Sequence, residues 1–467
     1  MKALILAAVA ATAFGVGNPD RHRDIEEHFN SQPSQRIEMR GFSGTDIRVQ
    51  SWDKNEVYVK LSVSFSSSDS RDEQRFLDAI TLKCDQTAEG MTITYREPDT
   101  SNRRGDSFWS WVSSMFSGRY TRREVEGEIY VPQSNPLTAE VKYGSVSLDG
   151  MKGPLRLIGT GNTVVLKNCS DIQEVTNDYG KTTVQRSGGS LDLAGKSGTI
   201  TIDQFTGKAT IDANYSTITV RDVSQALSIH SASGTIKVGR IGGNTTIRAD
   251  YSNITADNIS GMLEIEGRSG KVSATTVDGI KVTSAYGPIE VSHVSGKASK
   301  EISILGQSGN ISLTDAVGNV KIENPYGRTD LENIRGDIDI RGSHVEADNI
   351  TGDWQSETQY ATVTVRKLTG KKVVMMSKSG QVDLSLKTPP SVLDIKNEYA
   401  DVKVDMPAGF SGDVDLNVSY GKIHTNLQLE KEKSFDGGGG YAMGKIGNGN
   451  GKITIETKSA NINVMQR

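Results

Sequence analysis

The chain has little of what a compact enzyme of 467 residues usually contains. Only 35% of its residues are hydrophobic, 6% are aromatic, and cysteine occurs twice. This apolar content is low for one large globular core, but it suits thin layers of chain joined by many turns, for which 49 glycines are present. Cys84 and Cys169 have no histidine nearby in sequence, so they do not form a metal site.

An excess of charge of one sign is also missing. The chain has 53 lysines and arginines against 57 aspartates and glutamates, which gives a formal net charge of −4. Binding to phosphate groups along a nucleic acid requires a basic face. The near balance therefore argues against nucleic acid as the main partner.

Catalytic motifs are absent as well. The sequence contains no Ser/His/Asp elbow, no zinc-ligand spacing and no glycine-rich calcium loop, and the glycine run at 437–440 lacks the Gly-Lys-Ser/Thr ending of a phosphate loop. A glycosidase needs two carboxylates at a defined separation, and the acidic residues here are scattered. We therefore expect a protein that is not an enzyme and uses no cofactor or metal. The histidines never cluster: they are His22, His28, His230, His293, His344 and His424.

What the chain does have is a repeat. A tyrosine recurs every 36 residues over the first repeats. A small residue followed by glycine lies halfway between successive tyrosines, so the basic period is about 18 residues. A fixed period of this kind is typical of a stacked solenoid. The first tyrosines are Tyr143, Tyr179, Tyr215 and Tyr251, and Tyr286, Tyr326, Tyr360, Tyr399 and Tyr420 continue the series at less regular spacing.

Apolar residues also align at this period. Within each repeat they alternate with polar residues, which indicates β-strands with one face buried. The pattern predicts an all-β fold, a single-stranded parallel β-helix with coils of about 18 residues and atypical ends. A 36-residue coil with four strands is the less favoured alternative, because the columns repeat at half that length. One column reads Val164, Thr182, Ile200, Ile218, Ile236 and Ile254, and another reads Met151, Cys169, Ser187, Phe205 and Val223.

The sequence divides into four segments. Residues 1–15 resemble an export signal, with Lys2, an apolar stretch and a small-residue cleavage site, and the stretch is too short to span a bilayer. Residues 36–136 are expected to form an N-terminal β cap, 137–427 the solenoid, and 428–467 a glycine-rich cap with closing strands. We expect the protein in the periplasm, at the cell surface or outside the cell. Export would permit a disulfide, but Cys169 falls in an inward column, which favours a buried free thiol.

An aromatic and basic insertion interrupts the N-terminal cap at 99–124. Its apolar residues share one helical face, and arginines flank them. Two interpretations remain open: a helix covering the open solenoid end, which we favour, or a segment at 108–120 that docks on lipid or a partner. The candidate contact residues are Trp109, Trp111 and Phe116.

The tyrosine series is the second candidate binding surface. Exposed rings on every second coil could stack on sugar rings or on a partner. Alternatively, each ring could fill a corner of the coil beside the small residue of the next, and we favour this packing interpretation because layers interdigitate by alternating large and small residues. The candidate binding residues are Tyr143, Tyr179, Tyr215, Tyr251, Tyr286 and Tyr326.

The repeats, the lead-in segment 128–132 and the closing motifs 444–447 and 453–457 resemble the bacterial putative adhesin family, which is related to head-GIN adhesin-like domains. The resemblance covers about residues 37–467. It implies an exported β-solenoid with no catalytic motif to transfer.

The expected function is therefore a non-enzymatic scaffold that presents a long surface to a cell-surface protein, a glycan or an envelope lipid. The alternatives are a β-helix enzyme acting on an acidic polysaccharide and an envelope module docking through residues 108–120.

Overall fold

Alternating apolar and polar residues form strands through most of the chain. The computed structural model describes residues 21–66, 70–87, 89–98, 122–436 and 438–467. Their fold is a parallel β-solenoid of about 15 turns with coils of about 18 residues, which confirms the predicted fold class. The chain divides into two compact units, Met1–Gly153 and Pro154–Arg467.

The first unit contains nine strands among its described residues, together with one short helix. These are β1 (Arg21–Asn30), β2 (Arg36–Ser43), β3 (Asp46–Trp52), β4 (Glu56–Ser66), α1 (Ser70–Ala79), β5 (Thr81–Gln86), β6 (Gly90–Arg96), β7 (Arg122–Pro132), β8 (Leu137–Lys142) and β9 (Ser145–Asp149).

The second unit contains the regular repeats and the closing strands. Its first strands are β10 (Pro154–Thr160), β11 (Thr163–Lys167), β12 (Asp171–Asp178), β13 (Lys181–Gly195), β14 (Thr199–Ala213), β15 (Ser216–Val223), β16 (Leu227–Ile241), β17 (Thr245–Ser269) and β18 (Val272–Tyr286). The middle strands are β19 (Ile289–Val294), β20 (Glu301–Gly306), β21 (Ile311–Val317), β22 (Asn319–Arg335), β23 (Ile338–Thr351), β24 (Trp354–Thr358), β25 (Val363–Leu368), β26 (Lys372–Ser377) and β27 (Val382–Leu386). The last strands are β28 (Val392–Asn397), β29 (Val402–Met406), β30 (Gly412–Val418), β31 (Ile423–Thr425), β32 (Lys431–Ser434), β33 (Gly440–Ile446), β34 (Gly451–Thr457) and β35 (Ile462–Gln466).

Successive coils of the second unit stack in parallel at the repeat period. Ile218 pairs with Ile236, and Ile236 pairs with Ile254. All three side chains are buried, so equivalent aliphatic groups lie on one another in the core. The alternative prediction of a 36-residue coil with four strands is therefore wrong. The residues between β19 and β20 form a loop that is longer than in the neighbouring coils, and it lengthens one bend without shifting the stack.

From Asn168 to Lys367, each coil bends between its two faces at a residue in the left-handed region, and these residues form one column along the stack. The column has φ between 46° and 59° and includes the β-branched Thr276, for which this region is unfavourable. Polar side chains interact along it: Arg240 Nε donates to Asp222 Oδ1 at 2.5 Å, and Asn333 Nδ2 donates to Asp315 Oδ1 at 3.0 Å. The repeat pattern did not predict this column, although several of its members are asparagine or aspartate. They are Asn168, Arg186, Gln204, Asp222, Arg240, Asn258, Thr276, His293, Asp315, Asn333, Asn349 and Lys367.

Thr276→Asn is expected to stabilise the second unit by about 1 kcal/mol, because asparagine tolerates the left-handed region better than a β-branched residue. The reverse exchange one coil earlier, Asn258→Thr, provides the matched control and should cost a similar amount. Chemical denaturation of both variants measures the two effects. Equal shifts of the same sign would contradict the proposed strain.

The first unit does not stack in chain order. The coil made by β2 and β3 is the middle one of three stacked coils. The coil of β6 and β7 lies on one side of it and the coil of β8 and β9 on the other, and both pair with it in parallel. Three strands then add in antiparallel orientation: β5 on β6, β4 on β7, and β1 on β4. The parallel stack of the first unit is therefore bordered by antiparallel strands.

The second unit closes with a similar change of order. The coil made by β34 and β35 is again the middle one of three. The coil of β28 and β29 lies on one side of it, and the coil of β30 and β31 lies on the other. The hairpin of β32 and β33 adds antiparallel to β30. The chain therefore skips one level after β29 and fills it from residues 451–466, which we call the inserted coil.

Both cysteines are free thiols. Cys169 is buried in its inward column, as the sequence predicted, and Cys84 on β5 is half-buried. Burial raises the pKa of the Cys84 thiol, so this thiol is a poor nucleophile at neutral pH.

Candidate functional site

A row of exposed tyrosines marks the corner between the two strands of every other coil. In the second unit their side chains are between 55% and 81% exposed, and in the first unit Tyr143 is 50% exposed. We call the row in the second unit the tyrosine ladder. It comprises Tyr179, Tyr215, Tyr251, Tyr286, Tyr326, Tyr360, Tyr399 and Tyr420.

The favoured packing interpretation of these tyrosines is wrong, because rings exposed to this extent do not fill the corner of a coil. The backbone does not favour them either: Tyr179 and Tyr215 have φ of 59° and 54°. The left-handed region costs an ordinary residue about 1–2 kcal/mol. Neither burial nor local conformation therefore explains tyrosine at these positions.

Small residues form the inner side of the same corner. A Cβ on Gly198 would lie 2.0 Å from the carbonyl oxygen of Gly180, and one on Gly234 would lie 2.0 Å from that of Ser216. The backbones of adjacent coils therefore approach closely at the position just after the tyrosine column, which explains the glycine that follows the small residue at Ser197 and Ser233. This tight stacking fixes the spacing of the exposed rings.

Buried asparagines hold the corner from inside. Asn177, two residues before Tyr179, donates from Nδ2 to the carbonyl of Asn162 at 3.0 Å, and its Oδ1 accepts from the backbone N–H of Asn162 at 3.1 Å. Asn324 and Asn397 occupy the same place before Tyr326 and Tyr399 and donate to a glycine carbonyl of the neighbouring coil at 2.9 Å. The repeat pattern did not predict a role for these residues, although asparagine stands two places before tyrosine in the sequence.

Ion pairs lie beside several of the rings. The acidic residue before a tyrosine pairs with the basic residue of the next coil: Lys196 Nζ lies 3.0 Å from Asp178 Oδ2, and Lys458 Nζ lies 2.8 Å from Glu398 Oε1. The hydrogen bond from Lys458 lowers the pKa of Glu398. The hydrogen bond to Asp178 raises the pKa of Lys196, and Tyr179 makes a smaller contribution in the same direction. The ladder is thus flanked by charges of both signs.

Shallow depressions occur on the sheet face that leads into the tyrosine corner. Two of them, of about 510 Å³ and 490 Å³, lie at the coils around Asp192 and Trp354. A third of about 780 Å³ lies beside the C-terminal part of the ladder. Its charged lining is balanced, with Lys378, Lys396 and Lys458 against Glu357, Glu398 and Glu456.

The other candidate residues, Trp109, Trp111 and Phe116, lie outside the described residues. Within the described ranges, no group of three or more His, Cys, Asp or Glu side chains is arranged to hold a metal ion. The side chain of His230 points outward and is exposed. Across the same ranges, no helix has both the length and the apolar character needed to cross a membrane.

The coil geometry and its exposed aromatic edge define a repeat protein of the β-solenoid class. Residues 250–465 match the Toastrack DUF4097 family. This match covers the later repeats and the closing strands, and it confirms the family resemblance predicted from the repeat motif. No curated protein matches the chain.

Two solved structures are similar over much of their length. One is a "putative cell adhesion protein" from Clostridium sporogenes ATCC 15579, at 8% identity and a TM-score of 0.15, covering 95% of this chain and 100% of that one. The other is a "putative lipid binding protein" from Parabacteroides distasonis ATCC 8503, at 13% identity and a TM-score of 0.19, covering 76% of this chain and 97% of that one. At these TM-scores neither similarity bears on what this chain binds.

Proposed function

We propose that this protein is an exported, non-enzymatic β-solenoid scaffold with an adhesin-like role, whose tyrosine ladder contacts glycans or proteins at a cell surface. The exposure of the ladder rings is the observation that carries the proposal. Tyrosine supplies a flat apolar face and a hydroxyl group on a side chain with few rotatable bonds, which suits it to recognition. The export signal pattern in residues 1–15 supports the proposed location.

Replacing Tyr215, Tyr251 and Tyr286 together by serine is expected to abolish binding to glycan arrays or to whole cells while the folded protein persists. The rings contribute little buried area, so the thermal unfolding temperature should change by no more than a few degrees. The matched control is Val317→Ser, which removes an exposed apolar side chain away from the ladder and should leave binding intact.

Three results would contradict the proposal. Unchanged binding by the triple variant would show that the ladder is not the contact surface. Release of reducing ends from any polysaccharide would show that the scaffold is an enzyme. Fractionation of cells that express the tagged protein tests the proposed export, which fails if the protein stays in the cytoplasm.

A further inference from the structure

The tyrosines of the ladder keep one spacing in space although their spacing in sequence varies. Tyr286 and Tyr326 lie farther apart along the chain than Tyr215 and Tyr251 do, whereas Tyr399 and Tyr420 lie much closer together. In the structure one coil with a small corner residue separates the tyrosines of each pair. Since coils lie about 4.8 Å apart, the rings recur roughly every 9–10 Å along the stack.

Two irregular coils show how the spacing is kept. The loop between β19 and β20 lies away from the corner, so Gln307 stacks directly on Ala285, and the backbone N–H of Tyr326 donates to the Gln307 carbonyl at 2.9 Å. At the C-terminal end the inserted coil supplies the missing level. Lys458 donates from its backbone to Glu398 at 3.2 Å and accepts from Tyr420 at 2.8 Å, which places Ser459 between Tyr399 and Tyr420.

We propose that the tyrosine ladder binds a linear, uncharged, β-1,4-linked polysaccharide that lies along the stack and places one disaccharide on each pair of coils. The inference rests on the proposed function and specifies its ligand. An extended chain of this linkage turns its sugar rings over alternately, so the same apolar face recurs with each disaccharide, a length close to two coil spacings. A ring on every second coil can therefore stack on the same face of every second sugar.

The charges beside the ladder favour an uncharged polymer over an acidic one. Lys196 and Lys458 are already paired with Asp178 and Glu398, and Arg268 Nε lies 3.5 Å from Asp250 Oδ1. A polyanion would have to compete with these carboxylates for each basic group and would meet their repulsion. Sugar hydroxyl groups can instead donate to the carboxylates and accept from the ammonium and guanidinium groups without breaking the pairs.

The exposure of the rings favours a sugar over a proline-rich peptide. Polyproline II has a repeat of about 9 Å, which is also close to two coils. Such peptides dock in grooves between aromatic side chains. The described ladder tyrosines project singly from a corner and are more than half exposed, an arrangement that presents separate flat faces.

The test measures affinity for β-1,4-linked glucose and N-acetylglucosamine oligosaccharides of increasing length. Affinity should rise as each added disaccharide reaches another ring, and Tyr251→Ser should weaken the binding of long oligosaccharides about five- to tenfold, the value of one aromatic contact. The decisive variant combines Tyr251→Ser with Ser269→Tyr. It keeps the number of rings but shifts one ring by a single coil, and should bind as weakly as Tyr251→Ser alone.

The controls separate this inference from the proposed function. If the shifted variant binds oligosaccharides as well as the unaltered protein, the spacing is irrelevant and the inference is wrong. If the protein adheres to cells through the ladder but binds a polyproline peptide, phosphatidylglycerol vesicles or a protein instead of oligosaccharides, the inference fails while the proposed function stands. If no ladder variant affects adhesion, both fail. Hydrogen exchange across 245–289 verifies that each variant keeps its coils.

Discussion

Removal of residues 451–467 is expected to unfold more of the chain than it deletes. Ile453, Ile455, Ile462 and Val464 of the inserted coil are fully buried, and burial of four aliphatic side chains contributes roughly 6 kcal/mol or more. Among the described strands, only the inserted coil pairs in parallel with the coil of β30 and β31. That coil should therefore lose its place in the stack. The coil of β28 and β29 keeps β26 and β27 on its other side.

Hydrogen exchange measures this prediction region by region. Protection should disappear across 412–446, weaken across 392–406 and persist in the coils before 386. The matched control is Glu456→Asp, which alters an exposed side chain of the inserted coil and should leave all three regions protected. Persistent protection of 412–418 in the truncated chain would show that the inserted coil does not support β30.

Gly309→Ala is the second substitution with a large expected effect, a loss of stability of about 3 kcal/mol. A Cβ at this position would lie 1.8 Å from the carbonyl oxygen of Gly287 and 2.5 Å from its carbonyl carbon. These are backbone atoms of the preceding coil, which a rotamer change cannot move away. The coils must separate locally, and the parallel hydrogen bonds on both sides weaken.

The control for this substitution is Gly239→Ala. The nearest atom to a Cβ there is the carbonyl oxygen of Asp257 at 3.6 Å, an ordinary contact. This variant should be neutral or slightly stabilising, because alanine restricts the unfolded chain more than glycine does. Denaturant titration of the two variants, followed by hydrogen exchange near 287 and 327, checks the difference. Equal stability of the two variants would contradict the close approach inferred at the corner.

The repeat period was enough to predict the coil and its buried columns from sequence. Ile218, Ile236 and Ile254 could be aligned because each inward side chain packs on the equivalent residue of the neighbouring coil. The order of coils could not be predicted at the ends. Any two coils with the same pattern can stack, so nothing in the period shows that residues 451–466 belong between 392–406 and 412–425.

The candidate site was only partly predictable for a related reason. Alternation of a large and a small residue along the chain is compatible with interdigitated packing and with exposed rings. The choice depends on how closely adjacent backbones approach at the corner, which is a tertiary property. At the position just after the tyrosine column, a Cβ on Gly198 would lie 2.0 Å from the Gly180 carbonyl oxygen, so the coils stack closely there. The tyrosine rings, at least 55% exposed in the second unit, project outward.

The inserted coil also determines how the molecule responds to mechanical force. In a solenoid whose coils follow chain order, tension on the last strand peels off one coil at a time, and each step breaks a single interface. Here tension applied through the residues after β35 acts on a coil held on both sides, by β28 and β29 below and by β30 and β31 above. Both interfaces carry the load together, so the rupture force at this end should exceed that of an end coil held on one side.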